Sequence, residues 1–211
     1  MDTQKKNHSK PLLSGFLCFL LIAAVLGNYY LCDEWGFYRR TSEEEAALRR
    51  NVISSAQQYL GANEQDGTHK QIIDLYNSHE PLAVDYTVQY TDSWCAAFVS
   101  AVSIQCKLTS IIPTECGCER QIGLFQARGR WQELDTHIPL PGDIIYYDWN
   151  ASGSGDCNGW SDHVGIVVGT KWPFMKVIEG NKDDAVSYRY LIIGNPQIRG
   201  YGLPDYQSAI S

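Results

Sequence analysis

Cys95 stands two or three positions after a choice of helix caps, Ser93 and Asp92, in the stretch Thr91-Asp92-Ser93-Trp94-Cys95-Ala96-Ala97-Phe98-Val99. Either cap places the sulfur in the first turn of a helix. Backbone N–H groups there lack helical partners, and the positive end of the helix dipole stabilises a thiolate. The same N–H groups can receive a developing oxyanion. That combination is suited to nucleophilic attack on a carbonyl, whereas a cysteine on its own reads equally well as a small buried hydrophobe. A base has to stand beside it.

His163 is the candidate base. Strands over His163–Val168 and Phe174–Glu179, joined by the five residues Gly169-Thr170-Lys171-Trp172-Pro173, form a hairpin symmetric about Lys171. That register sets His163 directly opposite Glu179, with Cβ atoms roughly 4.5–5.5 Å apart. A carboxylate so placed fixes the tautomer and aim of an imidazole, as the third member of a triad must. A slip by two residues brings Asn181 opposite instead, on the same face as Glu179, and a slip by one separates the pair. His69, His79 and His137 lack strand context and an obvious orienting acid, and His8 lies in the amino-terminal segment.

These residues need a scaffold, and the pattern supplies one. Helices are expected over residues 41–60, near 69–79, over 94–106 and over 118–128. After Trp131 short apolar runs bounded by Gly, Asn or Pro replace them: 143–147, 163–168, 174–179, 186–193 and 197–201. Helices followed by neighbouring strands predict an α+β fold, its helical half packed on an antiparallel sheet of about five strands.

The chain has 211 residues, a net charge of −7, 44% apolar and 19% charged residues. An acidic chain without a basic patch excludes nucleic acid as the main partner. Lys5, Lys6 and Lys10 precede 22 uncharged positions, residues 11–32, long enough to cross roughly 30 Å of bilayer. Tyr29 and Tyr30 suit its outer interface. We expect a signal-anchor over 1–32 with the following domain outside the cell membrane; a cleaved signal peptide and a secreted or wall-associated domain is the alternative. Residues 33–44 form a short connector, and 45–206 the domain. Taking +2 for residues 1–32 from −7 leaves −9, so the domain must find its target through a specific cleft rather than through attraction to anionic polymers.

Of seven cysteines, five fall in the domain: Cys95, Cys106, Cys116, Cys118 and Cys157. An exported domain can form disulfides. If Cys95 is free, the other four allow three pairings that sequence does not rank. A zinc site at Cys116 and Cys118 would need a second ligand pair, and none stands out. The loop 148–156 offers oxygen ligands for Ca²⁺, but a polar cleft rim is the preferred reading. No cofactor is expected. Trp94, Trp149 and Trp160, with Tyr147, are candidates to line the cleft against sugar or peptide, with core packing the alternative for at least two of these four.

Four ordered motifs, Tyr90–Val99, Pro141-Gly142-Asp143-Ile144-Ile145-Tyr146-Tyr147, Asp162-His163-Val164-Gly165-Ile166-Val167 and Ile178-Glu179-Gly180-Asn181, resemble the CHAP domains. These belong to the NlpC/P60-like, papain-like superfamily of bacterial peptidoglycan amidases and endopeptidases. The likeness covers roughly 45–206 and is nearest to a prophage or Firmicutes subgroup that also carries Pro113-Thr114-Glu115-Cys116-Gly117-Cys118 and Arg199-Gly200-Tyr201-Gly202. It implies a papain-like fold, Cys95 as nucleophile, His163 as base, and Glu179 with Asn181 as orienting groups. The implied function is hydrolysis of an amide bond in peptidoglycan, N-acetylmuramoyl-L-alanine or a peptide cross-bridge, through a thioester. An inactive wall-binding module and a thiol acyltransferase of the same superfamily are the alternatives. The acidic Ca²⁺ loop found before the nucleophile in some CHAP domains has no counterpart in residues 80–92.

Overall fold

Ser42 and three glutamates after it start the first helix of the computed structural model, which describes residues 41–151, 157 and 159–210. The chain divides into two units, Met1–Thr41 and Ser42–Ser211. The expected membrane segment, 11–32, lies outside the described residues. So do 33–40 of the connector, while its last residues already belong to helix α1, Glu43–Gln57. Among the described residues no helix is long and apolar enough to cross a membrane.

The Ser42 side chain accepts from the Glu45 N–H, and the acids of the first turn favour the positive end of the helix dipole. Arg49 anchors α1 to the rest of the fold. Its guanidinium donates to Glu45 at 2.8 Å, to Asp143 at 2.8 Å and to the Pro141 carbonyl at 2.9 Å. Helices α2, Lys70–Asn77, α3, Cys95–Cys106, and α4, Cys118–Ala127, follow. Every residue of α3 from Cys95 to Ser103 is buried, which makes it the central helix of the domain.

The sheet has six strands where about five were expected. They are β1 (Trp131–Gln132), β2 (Ile144–Tyr147), β3 (His163–Lys171), β4 (Phe174–Lys182), β5 (Ala185–Ile192) and β6 (Ile198–Gly202). Their order is β1-β6-β2-β3-β4-β5, antiparallel throughout. The additional strand is the two-residue β1, too short to leave a period-2 signal. Alternation along β2 divides the core. Ile144 and Tyr146 join Val164, Ile166 and Ile178 against the helices, while Ile145 and Tyr147 join Val167, Met175 and Val177 on the opposite face.

The β3–β4 hairpin departs from the expected five-residue loop. Lys171 pairs with Phe174, so only Trp172 and Pro173 form the turn. Carried along unchanged, that register would put His163 on the face of Gly180 and Lys182. Instead the register shifts between Val167 and Gly169, giving Val167–Val177 and Ile166–Ile178 pairs. The extra residue, Val168, reverses the parity of everything beyond it. Continuing from Ile166–Ile178, Gly165 falls opposite Glu179 and His163 opposite Asn181, all four on one face. This is the two-residue slip rather than the symmetric register.

Candidate active site

Cys95 is the first residue of α3, and neither expected cap closes that helix. Trp94 occupies the N-cap position without a side-chain bond, and Asp92 accepts instead from the Gln89 N–H and the Tyr86 hydroxyl. The first intrahelical bond, Phe98 N–H to the Trp94 carbonyl at 2.8 Å, leaves the N–H groups of Cys95, Ala96 and Ala97 ahead of the helical ladder. The Ala96 N–H supports the Cys95 sulfur.

His163, first residue of β3, stands at the end of its strand, where it hydrogen-bonds Glu179 and interacts electrostatically with Cys95. Its Nε2 lies 3.1 Å from Glu179 Oε2, so Nδ1 is the ring nitrogen left for the sulfur. Tyr147 is directly opposite His163 across the β2–β3 pair, its ring 5.9 Å away. Glu179 is fully buried, yet it carries two cationic neighbours. Arg189, diagonal to it on β5, donates from Nε to both carboxylate oxygens at 2.8 and 2.9 Å.

The electrostatics follow from these contacts. A hydrogen bond from the Cys118 thiol, whose sulfur lies 3.7 Å away, is the strongest influence on Cys95. Together with His163 it outweighs burial and holds the Cys95 thiol well below its ordinary value. Burial pulls the His163 imidazole down, but the influence of Cys95 and the hydrogen bond to Glu179 more than offset this and lift it to about 9. Burial likewise opposes ionisation of Glu179, and His163 and Arg189 reverse that, keeping the carboxyl below the usual carboxylate range. The site therefore favours a thiolate–imidazolium pair backed by a carboxylate.

Asn181 takes another part than that of a second partner for the imidazole. Its backbone is left-handed, with φ of +56°, which asparagine tolerates. The turn of the chain aims Oδ1 at the Trp94 N–H, 3.4 Å away, and Nδ2 at Glu64 Oε1, 3.0 Å away. Glu64 Oε1 also accepts from the Trp94 indole at 2.9 Å. Asn181 and Glu64 thus hold the entrance to α3.

The three tryptophans separate. Trp94 has no exposed surface and packs beside His69, rings 5.8 Å apart, so it is a core residue rather than a cleft wall. Trp149 is 36% exposed, stacks on Tyr147 at 4.7 Å and lies 5.7 Å from the His163 ring. Arg189 covers it at 4.7 Å. With Tyr147, Arg189, Tyr190 and Gln197 it borders a hollow of about 150 Å³. Trp160 is 73% exposed. A second hollow, about 390 Å³, is lined by Val84, Tyr86, Val88, Asp92, Ser93, Cys116 and Arg120.

The five described cysteines are all unbridged, so none of the three pairings open to Cys106, Cys116, Cys118 and Cys157 is formed. Among the described residues no cluster of three His, Cys, Asp or Glu side chains is arranged to hold a metal ion. Of the loop considered for Ca²⁺, residues 152–156 lie outside the described residues. Sequence reasoning missed Arg189 and Glu64. Neither carries a motif, and each acts through a carboxylate or amide brought to it by strand pairing.

Two solved structures share similarity with the chain. One is an NlpC/P60 family protein from Bacillus cereus ATCC 10987, with a TM-score of 0.40 and 17% identity over 74% of this chain and 40% of that one. The other is Ly7917, with a TM-score of 0.40 and 14% identity over 74% of this chain and 62% of that one. The chain thus spans less than two thirds of either. No curated protein matches it. Residues 85–181 match the CHAP domain family model, a span that contains Cys95, His163, Glu179 and Asn181.

Proposed function

We propose that this chain is a cysteine hydrolase of peptidoglycan, cutting an amide bond of the wall peptide at the muramoyl–alanine linkage or a cross-bridge. The observation that carries the reading is the grouping of Cys95 at a helix start with His163, which acts on its charge and hydrogen-bonds the buried Glu179 at 3.1 Å. The CHAP match supports peptidoglycan as the substrate. Export on the uncharged run of residues 11–32 would bring the domain to the wall; carbonate extraction of membranes, which retains an anchored chain and releases a cleaved one, tests that part.

The Cys95 thiolate attacks the amide carbonyl carbon, and the negative charge moves to the carbonyl oxygen. N–H groups at the start of α3, outside the helical ladder, are the donors available to that oxygen. The imidazolium of His163 gives its proton to the leaving amine, the C–N bond breaks, and a thioester remains on Cys95. Water then enters. His163, now neutral, takes its proton as the oxygen attacks, and the acid leaves while the thiolate returns. Glu179 keeps the ring aimed and balances its charge through both steps.

Purified peptidoglycan incubated with the full chain, followed by mass spectrometry of the released fragments, tests the proposal. New amino termini at one type of bond, absent with Cys95→Ala, are the expected result. Equal release by the two proteins, or no release by either, overturns it. Transfer of the acyl group to an added amine without hydrolysis would assign an acyltransferase instead.

A further inference from the structure

Among the described cysteines Cys118 is the one whose sulfur meets Cys95, and the amide hydrolysis above needs no second thiol. Their sulfurs are 3.7 Å apart, and both side chains are buried. A disulfide of about 2.05 Å would need an approach of less than 2 Å. Cys118 is the first residue of the ten-residue α4, as Cys95 is the first residue of α3, so two helix starts converge on one pair of sulfurs. The other described cysteines are engaged elsewhere. Cys116 accepts from Arg120 at 3.3 Å, Cys157 donates to Asp148 at 3.5 Å, and Cys106 donates to the Asn51 carbonyl at 3.8 Å.

We propose that Cys95 and Cys118 form a two-cysteine oxidation site that takes hydroperoxides and closes reversibly into a disulfide. The inference rests on the nucleophilic Cys95 of the proposed function. The Cys95 thiolate attacks the outer oxygen of the peroxide, and the O–O bond breaks. An alcohol or water leaves once it takes up a proton, so sulfur is oxidised to the sulfenic acid while the peroxide is reduced. Cys118 then loses its proton and attacks the Cys95 sulfur. The S–S bond forms as the S–O bond breaks, and the hydroxide departs as water, protonated by the neighbouring His163.

The hydrogen bond between the thiols serves this order of events. Its effect, with burial, is to hold Cys118 protonated well above its ordinary value while the Cys95 thiolate persists. Cys95 therefore reacts with the oxidant first. Once its charge is gone, the restraint on Cys118 is relieved. The bridge takes the nucleophile out of use and shields it from further oxidation, and a thiol reductant restores it.

The reduced full chain is treated with hydrogen peroxide, its remaining thiols are blocked, and its intact mass and peptides are measured. We expect loss of two hydrogens, a Cys95–Cys118 cross-linked peptide, and loss of wall hydrolysis that dithiothreitol reverses. In Cys118→Ser, and in Cys118→Ala should serine disturb the packing, Cys95 should instead gain two oxygens irreversibly. Wild-type Cys95 gaining two oxygens without a bridge, or bridging to another cysteine, overturns the inference. Iodoacetamide labelling of the untreated protein separates the two readings. Cys95 that labels no faster than Cys106 sinks the nucleophile itself and this inference with it. Fast labelling with wall cleavage but no cross-link sinks the oxidation site alone.

Discussion

Gly165 lies against the side chain of Glu179 so closely that a Cβ on the glycine would come 2.7 Å from the glutamate Cγ and 2.6 Å from Val177 Cγ1. Glycine is needed here for space rather than for backbone freedom. The carboxylate crosses the vacant position to reach His163, two residues along β3. Gly165→Ala should push Glu179 aside and misaim the imidazole. A displacement of about 1 Å in a catalytic group can cost about 10²-fold in rate, so kcat should fall steeply with little change in KM. Wall-digestion kinetics beside circular dichroism check this. Unchanged kcat in a folded variant would show that Glu179 has room to spare.

Arg189 holds both oxygens of Glu179 and shares Oε2 with the His163 imidazole. Arg189→Gln removes one of the two cations beside a buried carboxylate, so the Glu179 pKa should rise. The acid limb of kcat/KM then moves to higher pH, because Glu179 protonates earlier on acidification and ceases to fix the ring. Loss of a charged hydrogen-bond partner at such a site costs about 1–3 kcal/mol of stability. Arg189→Lys, which retains the charge, should recover most of the pH profile. A profile superimposable on wild type for Arg189→Gln would assign Arg189 to structure alone.

The thiolate–imidazolium pair sets two edges on the rate. Acidification through the lowered Cys95 pKa protonates the sulfur and abolishes attack. The pair persists up to about 9, where His163 loses the proton owed to the leaving amine. Hydrolysis should therefore decline on the alkaline side near pH 9, whereas alkylation of Cys95 by iodoacetamide, which needs no acid, should not. Alkylation rising only near the ordinary thiol value would contradict the ion pair. Parallel alkaline declines in both reactions would remove the acid role of His163.

The order of helices before strands was legible because caps, breakers and apolar period are local. Ser42 starts α1, and Pro141-Gly142 marks the turn into β2, with Gly142 at φ +86°. The closeness of His163 to Glu179 was legible only as a matter of face. The loop length assumed for it was wrong, since the turn holds two residues and the parity depends on the bulge at Val168. A bulge is decided by cross-strand packing and leaves no local mark in the chain. Asn181 shows the same limit. Its strand position allowed a place beside His163, but its left-handed backbone and the register shift after Glu179 carry the amide to Trp94 and Glu64. Cys118 was visible as half of Cys-x-Cys, yet its neighbour is 23 positions away, brought there where the starts of α3 and α4 meet. Short-range pattern gives elements; it does not give the partners that meet across them.

Gly180 controls how near α3 comes to the sheet. A Cβ there would lie 2.4 Å from Phe98 Cβ, 2.6 Å from Phe98 Cγ and 2.9 Å from the Trp94 ring. The first two are close to the backbone of the buried part of α3, so no side-chain rotation relieves them. Gly180→Ala must separate β4 from the amino-terminal turn of α3, at about 1–3 kcal/mol for overpacking. Because Cys95 rides on that turn and His163 on the sheet, the same shift widens the gap between sulfur and imidazole. Activity and thermal stability should fall together, and Cys95 should alkylate more slowly at neutral pH as its charged partner withdraws. Gly169→Ala is the control, since nothing lies within 4 Å of the position its Cβ would take. That variant should match wild type in Tm and rate. If Gly180→Ala does the same, the close packing of Phe98 on β4 does not govern the spacing of the site.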